Sequence, residues 1–493
     1  MIKLVLYEGE GYTPNDMRRL LNGGGANTDE VNALATRVMQ QLKELPLINT
    51  NLVSAPPSED NEADPDGGEY DGSWGSLARK HPLHDGILVR RLVGSGVLQL
   101  GKVTLQVEIL PKVSDREDAA SNRAALKRMW GYAVDLNLRA NEIQAFMDDA
   151  ELPLHEWLIL RFLDQLDRLL ARGIRSQYQE QEGNLMTVRG RLSVRDNQRQ
   201  NALAPYRFYC RYDEFSPNRP ENRLIRSAIA KVQDRAQHPR TRRRAASLAE
   251  WLHEIPRSTD IARDFSLWRT DRLMTQYQEI RPTCEWILRE RSPAPMAGAK
   301  ALFGRFVRMN DVFERYVTRW MQERLALARP NEYTVYEQGR GPAATRTLCQ
   351  DNGYWRGHAM RPDVRIHGPG NQCVAVLDAK WKRARTDNKI ASREDLYQMY
   401  AYASHWLRNP EPGNAPERNR LIGLVYPTVR ADEHSVRFCY EELQDRVQGW
   451  ALRFRLPQWQ QDNGNWREGF QFAQEVNDLP EWISPFKVAR SCS

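Results

Sequence analysis

The chain has 493 residues, a formal net charge of +7, 41% apolar side chains and 27% charged ones. This length exceeds what one ordinary core supports, so two or three domains are expected. No apolar run approaches the roughly 20 residues that a membrane-spanning helix needs, which predicts a cytoplasmic protein without a membrane partner. The mildly basic charge permits a polyanionic partner but does not require one.

The cysteines and histidines exclude two classes of site. The six cysteines lie far apart and form no CxxC pair, and no HExxH motif is present. This usage is typical of a reducing compartment and argues against a zinc site or a disulfide framework.

Residues 1–120 are predicted to form a β-rich N-terminal domain. Its segment 54–73 contains seven acidic residues and no basic one, so we expect a flexible, exposed insertion. Residues 86–92 form a short strand, and 96–113 read as a hairpin that turns near Gly101. The letters "GVLQLGKV" at 96–103 nearly match a phosphate-binding loop, but they form an apolar strand with no helix after it. The chain is therefore not expected to hydrolyse nucleotides by itself.

Residues 121–295 are predicted to be mainly helical. Apolar periodicity over 154–173 indicates a helix that ends at Gly173, and a second helix is predicted over 221–236. A strand-like segment at 183–194 interrupts the helices. The arginines in "PRTRRRAAS" (240–244) form a basic cluster that either starts a solvated helix or contacts phosphate or a partner protein.

In residues 296–493, helical and strand-like segments alternate, which predicts an α/β domain with a mixed sheet. A helix over 309–325 precedes a strand at 333–338 and a hairpin within 362–383. A helix over 393–407, a strand at 421–427 and a final strand at 435–441 follow. The whole chain is therefore expected to be a multidomain α+β protein.

The hairpin "PDVRIHGPGNQCVAVLDAKWKR" carries the main chemical signal. Side chains two apart share a strand face, so Asp378 and Lys380 point the same way at the end of an apolar run. If the chain turns within "GPGN", Asp363 lies opposite Asp378. Paired carboxylates repel each other unless a cation lies between them, and Mg²⁺ is commonly held by such oxygens. Glu314, at the edge of the apolar stripe of helix 309–325, is a candidate third carboxylate, whereas Asp311 and Arg315 are expected to point away from that stripe. By spacing alone, a structural ion pair between Asp378 and Lys380 remains an alternative.

Five short segments occur in the order "MNDVFERYV", "RPDVRI", "VLDAKWKR", "DLYQMYAYA" and "LVYP". Together they resemble the C-terminal nuclease domain of the McrC family. Upstream, "GVLQLGKVTLQVEILPKV", "GNLMTVRGRLSV" and "FYCRYDEFSPNRPENRLIRSAI" resemble its N-terminal and middle regions. The resemblance covers roughly residues 85–475. It implies a PD-(D/E)xK, restriction-endonuclease-like fold for 296–493.

The same resemblance implies roles for particular residues. Asp363, Asp378 and Glu314 would bind Mg²⁺, for which Mn²⁺ can substitute, and Lys380 would polarise the attacking water and stabilise developing charge. Gln398 and Tyr402 reproduce a QxxxY pattern that related nucleases place beside the site. Those two residues are therefore candidate DNA contacts, with ordinary packing as the alternative for the pair. Lys382, on the same strand face as Asp378, is a further candidate contact to a DNA phosphate.

The family further implies an endonuclease subunit of a modification-dependent restriction complex that cleaves double-stranded, modified DNA. Its partner would be a McrB-type AAA+ GTPase hexamer, which the chain would stimulate by docking through residues 1–120, around 85–113. Two alternatives stay open. One is a non-cleaving activator of that motor, and the other is a stand-alone nuclease of DNA repair or recombination.

Overall fold

The computed structural model describes residues 2–22, 28–44, 76–112, 118–133, 152–236, 238–271, 274–289, 299–341, 346–347, 359–382, 391–407, 420–441, 447–460, 465–473 and 479–488. The acidic segment 54–73 lies outside these ranges, so its exposure stays a prediction. The chain divides into two compact units, Met1–Leu154 with Ser292–Ser493, and His155–Arg291. The three-part division with boundaries at 120 and 295 also stays a prediction.

In the N-terminal part of the first unit, the described residues form strands and three helices. Its elements are β1 (Ile2–Tyr7), β2 (Gly11–Tyr12), α1 (Pro14–Leu21), α2 (Thr28–Glu44), β3 (Ala78–Lys80), β4 (Ile87–Val89), β5 (Leu92–Leu100), β6 (Val103–Leu110) and α3 (Ala119–Ala133). The predicted hairpin is confirmed, because β5 and β6 pair antiparallel around Gly101, whose φ of 61° suits glycine. β1 runs parallel to β6 on the other side.

The second unit is mainly helical, as the sequence predicts. Its elements are α4 (Leu154–Ala171), β7 (Gln177–Leu185), β8 (Arg191–Leu192), α5 (Val194–Asn201), β9 (Phe208–Ser216), α6 (Pro220–Arg235), α7 (Pro239–Glu250), α8 (Ile261–Ser266) and α9 (Thr275–Arg289). The strand-like segment at 183–194 belongs to a three-stranded sheet in the order β7-β9-β8. In the arginine cluster, Arg244 forms an ion pair with Asp164 at 2.5 Å.

The C-terminal part of the first unit supplies the largest sheet. Its elements are β10 (Ala299–Arg308), α10 (Met309–Ala328), β11 (Thr334–Glu337), β12 (Arg346–Thr347), β13 (Ala359–Met360), β14 (Val364–His367), β15 (Cys373–Ala379), α11 (Arg393–Tyr402), β16 (Leu421–Thr428), β17 (Val436–Phe438), β18 (Gln448–Gln460) and β19 (Asn465–Gln471). A π-helical turn, Ala403–Leu407, prolongs α11.

The strand order of that sheet is β11-β14-β15-β16-β18-β17, and β19 also pairs with β18. β15, β16 and β18 are parallel, whereas the other pairings are antiparallel, so the sheet is mixed as predicted. The prediction that 435–441 is the last strand is wrong, because β18 and β19 follow it. β18 contains Pro457 at a break in its register with β19, and proline within an apolar run weakens the sequence signal of a strand.

Strand β10 joins the two ends of the first unit. It pairs antiparallel with β5 and completes a sheet in the order β1-β6-β5-β10. The chain then enters α10, whose apolar stripe is buried as predicted. Phe313, Tyr316 and Trp320 each place a ring against Phe454 of β18. This packing fixes α10 against the mixed sheet and thereby sets the direction of Glu314.

Candidate active site

The end of β15 presents a buried acid and a buried base. Asp378 and Lys380 are only 2% and 9% exposed, and Lys380 Nζ lies 2.8 Å from Asp378 Oδ2. The backbone N–H of Lys380 donates to the carbonyl oxygen of Val425 on β16 at 2.9 Å. The predicted common face of the two side chains is confirmed. A buried ion pair gains little over apolar packing, so this pair argues for a chemical role.

Asp363 lies directly before β14, beside the end of β15. Val364 pairs with Leu377 and Arg365 with Val376, and this register continues to Asp363 opposite Asp378. The Asp363 Oδ2 atom accepts a hydrogen bond from the backbone N–H of Ala379 at 2.8 Å. The predicted juxtaposition is therefore confirmed.

The turn of this hairpin explains how local chemistry sets the register. It is a short 3₁₀ segment, Pro369–Asn371, in which Gly370 and Asn371 adopt φ values of 71° and 59°. Glycine and asparagine accept this left-handed conformation at low cost. The register shifts by one residue between Ile366 and His367, so the turn carries a bulge, and the strands regain their alignment before the acidic pair.

Glu314 of α10 interacts with the same carboxylates. Burial raises the pKa of Glu314 to about 8, and Asp311 and Asp378 add repulsion in the same direction. Burial likewise raises the pKa of Asp363 well above its usual range, followed by repulsion from Asp378 and Glu314. The three predicted carboxyl groups thus form one electrostatic cluster. Asp311, which the sequence analysis expected to point away from the apolar stripe, adds to the repulsion on Glu314.

The cluster can be tested for its fit to a divalent cation. Within the described ranges, no group of three or more His, Cys, Asp or Glu side chains is arranged as a metal site. Mg²⁺ commonly takes only one or two protein carboxylates, together with water and substrate phosphates. Asp363 and Asp378 supply such a pair, and their mutual repulsion is what a cation would relieve. The donor set fits Mg²⁺, while the role of Glu314 as a third ligand stays a prediction.

The predicted DNA contacts lie on and before α11. Gln398 Nε2 donates to Tyr402 Oη at 3.1 Å, as the i, i+4 spacing allows. Burial raises the pKa of Tyr402, with further contributions from Asp378 and Asp363, so its hydroxyl lies near the carboxylate cluster. Lys382, half-exposed, forms an ion pair of 2.6 Å with Asp395.

Glu337 and three arginines form a further charged cluster beside the site, which the sequence did not predict. Glu337, at the end of β11, is 8% exposed and adds repulsion to Glu314. Three arginines surround it: Arg315 at 2.9 Å, Arg319 at 3.5 Å and Arg340 at 3.2 Å. The i, i+4 spacing of Arg315 and Arg319 is a signal for a shared face of α10, but it does not identify their partner.

A sequence profile of the family described as McrBC 5-methylcytosine restriction system component matches residues 90–413, more than half of the chain. The chain belongs to this family. The resemblance to McrC stated above is thereby confirmed, and the protein is a member of a restriction-system family. Among the helices of the described ranges, none is both long and apolar enough to cross a membrane.

A solved structure shows a similar fold. One match is in the refined half-complex from the tetradecameric assembly of Thermococcus gammatolerans McrB AAA+ hexamers with bound McrC, with 18% identity, a TM-score of 0.58, and 92% and 94% of the two chains covered. Another is in the cryo-EM structure of the Thermococcus gammatolerans McrBC complex, with 19% identity, a TM-score of 0.45, and 66% of this chain and 88% of that chain covered. No curated protein matches the chain.

Proposed function

We propose that this member of the McrBC family is the endonuclease subunit of a modification-dependent restriction complex and hydrolyses DNA phosphodiesters with Mg²⁺ or Mn²⁺. The observation that carries the proposal is the convergence of Asp363, Asp378 and Lys380 at one edge of a mixed sheet. An ion pair kept only for stability has no need of a second buried carboxylate beside it, because that carboxylate adds repulsion.

The residues divide the chemistry between them. Asp363 and Asp378 hold the cation, which supplies positive charge to the reacting phosphate when bound. Asp378 holds the Lys380 ammonium at a fixed place, from which it orients the attacking water and stabilises the negative charge that develops on phosphorus-bound oxygens. Ala379 N–H fixes one oxygen of Asp363 and so limits rotation of that carboxylate.

DNA binding extends the site along α11. Tyr402 and Gln398 form one hydrogen-bonded unit, so both are positioned together beside the carboxylates. Lys382 remains 38% exposed at its side chain, and a DNA phosphate would share or replace its contact with Asp395. We therefore assign Gln398, Tyr402 and Lys382 to the DNA backbone and expect their loss to weaken binding more than catalysis.

A McrB-type AAA+ GTPase hexamer is the proposed motor partner. Supporting this, the matched complex from Thermococcus gammatolerans contains McrB AAA+ hexamers with bound McrC, and the fold similarity covers nearly the whole of this chain. Residues 96–103 form strand and turn and no strand–loop–helix unit, so the chain is not expected to hydrolyse GTP or ATP by itself.

The surface proposed for docking is narrower than the sequence suggested. Strands β5 and β6 lie in the middle of their sheet, and most of their described side chains are buried. A partner approaching the hairpin would reach its exposed turn, Gly101 and Lys102. We assign motor docking to this turn within the predicted docking region 1–120.

The test is cleavage of 5-methylcytosine-containing and unmodified plasmid by the full chain, with and without a McrB-type GTPase, GTP and Mg²⁺. Cleavage of the modified plasmid that needs all components supports the proposal. Cleavage without the motor indicates a stand-alone nuclease. Stimulated GTP hydrolysis without any cleavage indicates a non-cleaving activator, and Asp378→Ala serves as the negative control throughout.

A further inference from the structure

Trp381 occupies a junction beside the candidate active site. It follows Lys380 directly, at the point where the chain leaves β15. Its ring packs against Phe313 of α10, with centroids 5.2 Å apart and an interplanar angle of 57°. Phe313 is the neighbour of Glu314 in the chain. One indole therefore contacts the helix that carries the third carboxylate and adjoins the lysine of the D-x-K motif.

The indole also has a polar partner from the other end of the chain. Trp381 Nε1 donates a hydrogen bond of 2.6 Å to Glu8 Oε1. Glu8 is 7% exposed, and burial raises its pKa to about 7, against the lowering effects of Trp381 and Arg91. Burying a carboxylate costs free energy unless its partners compensate for the lost hydration. The raised pKa of Glu8 shows that its partners compensate only in part, so its burial reduces the stability of the fold.

Glu8 itself is held firmly by the N-terminal sheet. It continues β1, and its backbone N–H donates to the carbonyl oxygen of Leu110 at the end of β6 at 3.1 Å. The next residue, Gly9, donates to the carbonyl oxygen of Val89 at 3.1 Å and has a φ of 66°. The carboxylate thus projects from two paired strands, and its position is set by the sheet to which β10 also belongs.

We propose that Glu8 is a positioning residue for the nuclease reaction. By accepting the Trp381 N–H, it holds the indole against Phe313 and thereby fixes the backbone from which Lys380 projects. The inference rests on the proposed function and extends it, because it makes the N-terminal sheet a structural part of the active site. Displacement of a catalytic group by about 1 Å can cost on the order of 100-fold in rate, so a remote anchor of this kind has a measurable effect.

The hydrogen bond offers a graded set of variants. Glu8→Gln retains an acceptor oxygen, whereas Glu8→Ala removes it. Trp381→Phe retains a ring for Phe313 but removes the N–H. Glu10→Gln is the matched control, because Glu10 lies in the same segment, is 6% exposed, and pairs with Lys112 at 2.7 Å.

The experiment measures single-turnover cleavage of modified plasmid by the full chain with its motor, and DNA affinity in Ca²⁺. Glu8→Ala and Trp381→Phe should each slow cleavage about 10- to 100-fold at unchanged DNA affinity. The double variant should be no slower than either single one, because both remove the same bond. Glu8→Gln and Glu10→Gln should cleave within about 3-fold of the wild type.

A second readout does not depend on cleavage. Hydrogen exchange of backbone amides in residues 379–382 of the full chain should become faster in Glu8→Ala and Trp381→Phe but not in Glu8→Gln or Glu10→Gln. Normal cleavage by Glu8→Ala, multiplicative effects in the double variant, or unchanged exchange would each overturn the positioning role. If the wild type does not cleave, the proposed function fails and the role fails with it. Cleavage by the wild type but not by Asp378→Ala separates the two cases.

Discussion

Replacing Glu314 by glutamine should make the protein more stable and less active. The substitution preserves the size of the side chain and removes one of three mutually repelling carboxyl groups. Burial, Asp311 and Asp378 all disfavour the ionised form of Glu314, and its pKa is raised from 4.5 to about 8. Active sites commonly contain charged side chains that repel each other. Replacing one of them can therefore stabilise the fold while lowering the activity.

The sign and size of the effect follow from linkage. The pKa of Glu314 is higher in the folded state than in the unfolded state. Its favourable contribution to the stability of the folded state is therefore complete below pH 4.5 and is lost as the pH rises through 8. The difference between the two pKa values, 8 minus 4.5, corresponds to a loss of at most ~5 kcal/mol in the free energy of unfolding, at about 1.4 kcal/mol per pKa unit. Glu314 is partly exposed, so solvent screening reduces our expectation to about 2 kcal/mol at pH 8.5.

Thermal unfolding in EDTA measures the effect. Glu314→Gln should raise the midpoint by about 4 °C over the wild type at pH 8.5 and leave it unchanged at pH 4.5. Mg²⁺ should raise the wild-type midpoint more than that of the variant. Glu332→Gln, which alters a side chain that is 51% exposed, is the control for losing one negative charge. A midpoint for Glu314→Gln below that of the wild type at pH 8.5 would refute the reasoning.

Three further predictions concern catalysis, metal and stability. Asp378→Ala and Lys380→Ala should each lower plasmid cleavage by about 10²-fold or more at unchanged circular dichroism, and normal cleavage by either would show that the site is misassigned. EDTA should stop cleavage without dissociating the motor, seen by size-exclusion chromatography, and Mg²⁺ or Mn²⁺ should restore it; full activity in chelator contradicts the carboxylate–metal mechanism. Glu468→Ala should destabilise the first unit by about 3–5 kcal/mol in thermal unfolding, because Glu468 lies 2.9 Å from buried Arg128 and accepts from Tyr316 and Trp320. An unchanged midpoint would show that this contact does not contribute.

The hairpin of the candidate site was predictable because its determinants are local. Alternation of apolar side chains places Asp378 and Lys380 on one face, and the Gly and Asn of the turn set the register that brings Asp363 opposite. The buried stripe of α10 follows from helical periodicity in the same way. Each of these patterns spans fewer than about twenty residues, so spacing alone carries the information.

Contacts between distant segments were decided by the tertiary structure. No spacing rule connects Glu8 with Trp381, or assigns β10 to the N-terminal sheet, because these pairings join segments hundreds of residues apart. The sequence pattern does not identify β18 as a strand, because its polar residues and Pro457 interrupt the alternation of apolar side chains. Only its pairing in the sheet does so. The sequence by itself therefore determined which groups could carry out the chemistry and their local register. The packing of sheets and α10 decided which remote side chains hold those groups in place, because burial and long-range pairing depend on the whole fold.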